Sequence, residues 1–111
     1  MTNQITFEDW EKLELKIGEI KSAERVPNSD KLYKLEVDIG DKVIQVVSGI
    51  VPYYSEDELV GTKIVVLTNL KPTKFKGVES NGMLLAAGSK EDDTCVLLTP
   101  LSDIDVGVSI N

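Results

Sequence analysis

Four prolines, Pro27, Pro52, Pro72 and Pro100, divide the 111-residue chain, and every apolar run between them is short. A proline has no backbone N–H, so each one marks a place where neither a central strand nor a helix interior runs. The runs themselves are rich in Val, Ile and Leu, and several alternate with polar residues at the period of a half-buried strand. Leu13, Leu15, Ile17 and Ile20 form the first, in which Gly18 marks either a bulge or a point of close packing. Leu32–Asp38 and Val43–Val47 flank Gly40-Asp41 and read as a hairpin. Lys63–Leu67 is nearly all apolar and therefore central, and Met83–Ala87 and Thr94–Leu98 follow, joined by the polar segment Gly88–Asp93.

Two short helices interrupt the strands. Thr6 caps a helix over Phe7–Lys12, with Asp9 at the third position to answer it and Ile5 able to staple against Trp10. The same grammar recurs at Ser55, Glu58, Tyr54 and Leu59, and Gly61 ends that helix. Three strands, a helix and two more strands is the order of an oligonucleotide-binding barrel, although other small barrels share it. The fold class is therefore all-β: a five-stranded barrel with short helices and additional C-terminal strands, as one domain over residues 1–111.

Composition narrows the function. No run of about 18 apolar residues exists, so no membrane span is expected. Residues 1–15 hold four acids and one lysine, the reverse of a basic secretory leader, and the single cysteine forms no internal disulfide. Both features point to the cytoplasm. The chain has no histidine, and one cysteine makes neither a zinc site nor a redox pair. No phosphate loop, nucleophile elbow or dinucleotide fingerprint is present. Cys95 reads as a small buried hydrophobe, and Asp9, Glu11, Glu91, Asp92 and Asp93 as a solvated face. No catalytic residue, metal or cofactor is expected.

The net charge of −7 argues against promiscuous binding of nucleic acid, yet it is unevenly spread. Residues 63–90 hold Lys63, Lys71, Lys74, Lys76 and Lys90 against Glu79 alone. Thr68–Met83 is longer than a plain hairpin connection, and its lysines, amides and hydroxyls suit phosphate and ribose. Phe75 there either stacks on a base or plugs the barrel. A second polar cluster, Arg25–Tyr33, joins the first two strands. In it Arg25 and Lys31 are phosphate candidates, while Asn28 and Ser29 either close a turn or touch the ligand. Ser48, at the end of the third strand, either donates to RNA or bonds locally.

A set of motifs occurs in order along residues 5–111. They are Glu14–Gly18, Pro27–Tyr33, Val47–Ile50, Val60-Gly61, Asn69–Pro72, Gly77–Ala87, Leu98–Pro100 and Val106–Ile110. The series resembles the structure-specific tRNA-binding domain of methionyl-tRNA synthetase, its β-subunit-like relatives and stand-alone versions of the same module. The resemblance implies an oligonucleotide-binding fold that recognises folded tRNA by shape, as a homodimer or as an accessory to the synthetase catalytic chain. It carries Asn69, Lys71, Lys74, Lys76, Ser80 and Met83 over as loop residues, with Asn28, Lys31 and Ser48 beside them. Met83 is expected to pack beneath the loop. Family members often have arginine where this chain has Lys16 and Lys76, and lysine lacks the rigid fork for bidentate phosphate contact. Trp10, Leu13, Ile104, Val106, Val108 and Ile110 are either the dimer face or ordinary core. A related branch of small dimeric, export-linked chaperones shares the barrel and is the alternative.

Overall fold

The computed structural model describes residues 2–111. In chain order the elements are α1 (Phe7–Glu11), β1 (Leu15–Arg25), β2 (Tyr33–Asp38), β3 (Val43–Ser48), α2 (Glu56–Leu59), β4 (Lys63–Leu67), β5 (Thr73–Phe75), β6 (Val78–Ser80), β7 (Met83–Leu84), β8 (Ala86–Ser89), β9 (Thr94–Leu97) and β10 (Ser109–Ile110). Alternation in sequence becomes alternation in burial. On β2, Tyr33, Leu35 and Val37 point into the core, while Lys34, Glu36 and Asp38 keep contact with solvent.

The main sheet runs β3-β2-β1-β4-β7, all antiparallel. β1 is the hinge of the barrel. Its first half, Leu15–Glu19, pairs with β4, and its second half, Glu19–Arg25, pairs with β2. The register shifts between Ile20 and Ser22, and this bulge bends the strand so that the sheet curls. Gly18 is not the bulge but a point of close packing: a Cβ there would lie 2.7 Å from Val37 Cγ1.

Closure comes from β3 meeting the β6–β7 segment. The Asn81 N–H donates to the Gln45 carbonyl (2.8 Å), and Gln45 Nε2 donates to the Glu79 carbonyl (2.7 Å). Between them the Val47 N–H donates to Ser80 Oγ (2.9 Å), which in turn donates to the Gly82 carbonyl (2.8 Å). A side chain thus stands in for a missing strand bond, and the result is a nearly closed five-stranded oligonucleotide-binding barrel. The core inside it comprises Ile20, Leu35, Val37, Ile39, Val46, Leu59, Ile64, Val66 and their neighbours.

Several expectations need adjustment. The apolar stretch Met83–Ala87 is not one strand: it breaks at Leu85, where β7 leaves β4 and β8 turns to pair with β9. The long connection after β4 contains a hairpin of its own, β5–β6. Phe75 lies half-buried opposite Val78 on that hairpin rather than in the barrel core. Cys95 is half-buried against the core edge.

The C-terminal segment lies alongside β1. β10 pairs with Leu15 and Lys16, and Gly107 and Val108 exchange hydrogen bonds with Ile17. Two glycines make this approach possible. Gly40, in the β2–β3 turn (φ +101°), and Gly107 (φ +92°) meet back to back, and a Cβ on Gly40 would lie 2.9 Å from Gly107 Cα. Further along, Lys63 Nζ donates to Asp103 Oδ1 (2.8 Å) and to the Ile104 carbonyl. The hydrogen bond from Lys63 holds the Asp103 carboxyl below its ordinary range. No helix among the described residues is long and apolar enough to cross a membrane.

Candidate nucleic-acid interface

The chain's charge pairing separates two groups of cations. Among the described residues, Lys12, Lys21, Lys34 and Lys63 form ion pairs with Asp9, Glu19, Glu24 and Asp103. Lys63 of the basic stretch is thus paired, whereas none of the candidate contact residues Lys16, Arg25, Lys31, Lys71, Lys74 and Lys76 is among them.

The β1–β2 loop is shaped by its own polar groups. Ser29 Oγ accepts from the Lys31 and Leu32 N–H groups (3.3 and 3.2 Å), Val26 exchanges backbone bonds with Leu32 and Ser29, and Asn28 turns the chain with φ +65°. The Lys31 carbonyl accepts from the Val51 N–H (3.0 Å), so the loop is fixed to the segment after β3. Ser29 therefore closes a turn, and Lys31 is left exposed at its rim.

Opposite stands the tip of the β5–β6 hairpin. Its two-residue turn is Lys76-Gly77, with φ +53° and +80°, the double positive φ of a type I′ turn. That turn favours Asn-Gly. Lysine at the first position is strained, and strain of this kind gathers where a side chain has work beyond folding. Lys76, Asn28, Ser29, Asp30, Lys31 and Leu32 line one open cleft of ≈ 360 Å³ between the loop and the hairpin tip. Lys74 is exposed on β5 opposite Glu79, Lys71 is exposed at the hairpin's root, and Arg25 is exposed at the end of β1 beside Tyr33.

The remaining singled-out residues lie elsewhere or face inward. Ser80 is fully buried, and its hydroxyl is engaged in the barrel seam. Ser48 is half-buried opposite Tyr33. Asn69 Oδ1 accepts from the Glu14 N–H (3.0 Å) and Asn69 Nδ2 donates to the Lys12 carbonyl (2.7 Å). Lys16 sits on β1 opposite Val66 and Ser109, away from the cleft. Met83 is half-buried on β7. Sequence reasoning passed over Leu32 as an apolar wall of the cleft and Thr68 and Glu14 as partners at the loop root. Nothing local marks a contact that spans more than fifty residues.

The barrel and much of its sequence are shared with known proteins. Residues 15–109 match the family described as "Putative tRNA binding domain". The chain belongs to that family. It is a small domain homologous to the tRNA-binding domain of methionyl-tRNA synthetases. The methionine–tRNA ligases of Methanoregula boonei and Thermotoga maritima are 52% and 48% identical to it over 109 residues, 98% of this chain. The chain spans only 16% and 17% of those proteins' own length. The crystal structure of a MetRS related protein from Pyrococcus horikoshii superposes with a TM-score of 0.90 at 35% identity, covering 98% of this chain and 99% of that one. The chaperone CsaA of Bacillus anthracis does so at 0.87 and 30% identity, covering 98% and 100%.

Proposed function

We propose that this domain binds folded tRNA without catalysing a reaction, capturing it by charge and shape for a methionyl-tRNA synthetase. The observation that carries this reading is a set of cations outside the ion pairs: Lys31 and Lys76 line one cleft, Lys74 lies on the hairpin, and Arg25 and Lys71 stand at the end of β1 and the hairpin's root. Phosphates bridging the cleft replace small counterions, which makes the affinity salt-dependent. The acidic remainder of the surface repels polyanions that do not fit. Asn28 lines the cleft and Ser48 lies half-buried opposite Tyr33, whereas Asn69 braces the hairpin's root and Ser80 the barrel seam. Lys16, also a candidate phosphate contact, lies at the opposite end of β1 from the cleft.

The domain works in the cytoplasm as a homodimer. Ile5 and Phe7 on the N-terminal side are 70% and 72% exposed, and Leu13, Ile104 and Val108 are also exposed. Phe7, Trp10, Leu13 and Ile110 line a groove of ≈ 290 Å³. A second copy covering this face places two basic clefts on one assembly, so one tRNA is held by two sites and weak individual contacts add.

The test is a titration with bulk folded tRNA at low and moderate salt, with unfolded RNA of similar length as competitor and solution mass followed in parallel. A dimer that prefers folded tRNA and weakens as salt rises is expected. Equal binding of both RNAs at low salt, or none, sinks the reading. The same apolar groove and the likeness to CsaA favour a second function, capture of unfolded peptide, which an RNA-insensitive binding of apolar peptide would establish.

A further inference from the structure

Helix α1 contributes no buried residue. Trp10 and Leu13 at its C-terminal end remain accessible, so packing does not fix the helix to the barrel. Hydrogen bonds at its exit do. The Glu14 carbonyl accepts from both the Thr68 N–H and the Thr68 hydroxyl, each at 2.9 Å. The Asn69 carboxamide completes the set, accepting from the Glu14 N–H and donating to the carbonyl of Lys12, the residue that caps α1. Lys12 and Leu13 in turn donate back into the helix, to Asp9 and Trp10. The other side of this brace is the root of the basic connection, for Lys71 follows Asn69 by two residues and the hairpin that carries Lys74 and Lys76 begins at Thr73.

We infer that Thr68 and Asn69 are positioning residues that couple the α1 face to the basic hairpin, so that ordering either one orders the other. The inference rests on the tRNA-binding reading only where RNA is the ligand. Asn69 then acts on RNA binding through Lys12 and Glu14, which its amide already engages at both ends. Coupling of this kind is reciprocal: covering α1 favours the hairpin geometry that receives phosphate, and phosphate at the hairpin steadies α1.

Two measurements test it. The first uses no RNA: amide hydrogen exchange over residues 70–77 in the wild-type protein, Trp10→Ala, Asn69→Ala and the double variant. At concentrations where the wild type self-associates and covers α1, Trp10→Ala is expected to speed exchange in the hairpin about five-fold or more, the lower end of usual coupling factors, and to have no further effect beside Asn69→Ala. An unchanged hairpin in Trp10→Ala, or an equal effect in both backgrounds, overturns the coupling. If Asn69→Ala fails to fold, Thr68→Val replaces it, and Thr68→Ser is expected to restore wild-type behaviour because it returns the hydroxyl to Glu14.

The second follows the indole N–H resonance of Trp10, the chain's only tryptophan, during titration with folded tRNA. The signal is expected to move with occupancy in the wild type. In Lys74→Ala it should move to the same endpoint at higher RNA concentration, and in Asn69→Ala saturating RNA should leave it in place. A full shift in Asn69→Ala overturns the coupling. Wild-type protein that binds no folded tRNA counts against the proposed function, and the exchange experiment alone then decides the coupling.

Discussion

α1 and α2 are written in the same grammar and built to different ends. Each is a short helix opened by a hydroxyl that caps the third residue: Thr6 Oγ1 accepts from the Asp9 N–H (3.1 Å) and Ser55 Oγ from the Glu58 N–H (3.3 Å). Only α2 completes the exchange, with Glu58 Oε1 accepting from the Ser55 N–H at 2.9 Å. The Asp9 carboxylate pairs instead with Lys12, since aspartate is one methylene shorter and reaches back less well. α2 then buries Leu59 in the barrel, while α1 buries nothing. Capping residues locate a helix start, and apolar content decides neither helix's destination. What separates them is that α2 closes a gap in the barrel while α1 presents Phe7 and Trp10 outward.

The sharpest way to break this contrast is Leu59→Ala against Trp10→Ala. Leu59→Ala should cost about 2–5 kcal/mol in urea unfolding, because the barrel cannot collapse around the cavity. Trp10→Ala, measured at concentrations where the wild type is monomeric, should change stability by less than about 1 kcal/mol and act on self-association instead. A similar loss in both variants would mean that α1 belongs to the fold after all.

Ser80 extends the contrast to the binding side. Ser80→Ala leaves the Val47 N–H and the Gly82 carbonyl without a partner, at about 1–3 kcal/mol for each group left unpaired. Thermal unfolding should register that loss. RNA affinity that drops while stability holds would place Ser80 at the ligand instead.

The two caps themselves give the next smaller effect. Ser55→Ala should cost about 1 kcal/mol by denaturant titration. Thr6→Ala should cost a few tenths, since an unpacked helix adds little to global stability.

Smallest, and opposite in sign, is Lys76→Asn. Asparagine tolerates the positive φ of a type I′ turn, so the melting midpoint should rise by the equivalent of a few tenths to about 1 kcal/mol. The same change should weaken tRNA binding and lower the slope of log affinity on log salt by roughly 0.7–0.9, the share of one phosphate contact. Unaltered affinity would remove Lys76 from the interface.

The strands that build the barrel were legible because alternation such as Tyr33-Leu35-Val37 is a direct consequence of the pleat. Less legible were places where partners change without a change of composition. Leu85 looks like its neighbours, yet it is where the chain passes from β4 to β9. Ser22–Arg25 is too polar to read as strand, yet it continues β1 because β2 offers it a partner. The β5–β6 hairpin escaped notice because its turn is Lys-Gly and not Asn-Gly. In the candidate site, the lysines were legible as charges in a long connection. Which amides and hydroxyls bond within the chain was not, because Asn69 finds Lys12 and Glu14, and Ser80 finds Val47, only after the barrel closes.

The pairing of β10 with β1 also sets a schedule for synthesis. β1 is made before all of its partners, and its edge at Leu15–Ile17 gains its second neighbour only when Gly107–Ile110 arrive. At about 5–20 residues per second, roughly 90 residues of translation leave that edge open for about 5–20 seconds. An open strand edge is a template for other chains. The outward charges nearby, Glu14 and Lys16, are then guards for a nascent protein as well as features of the finished one.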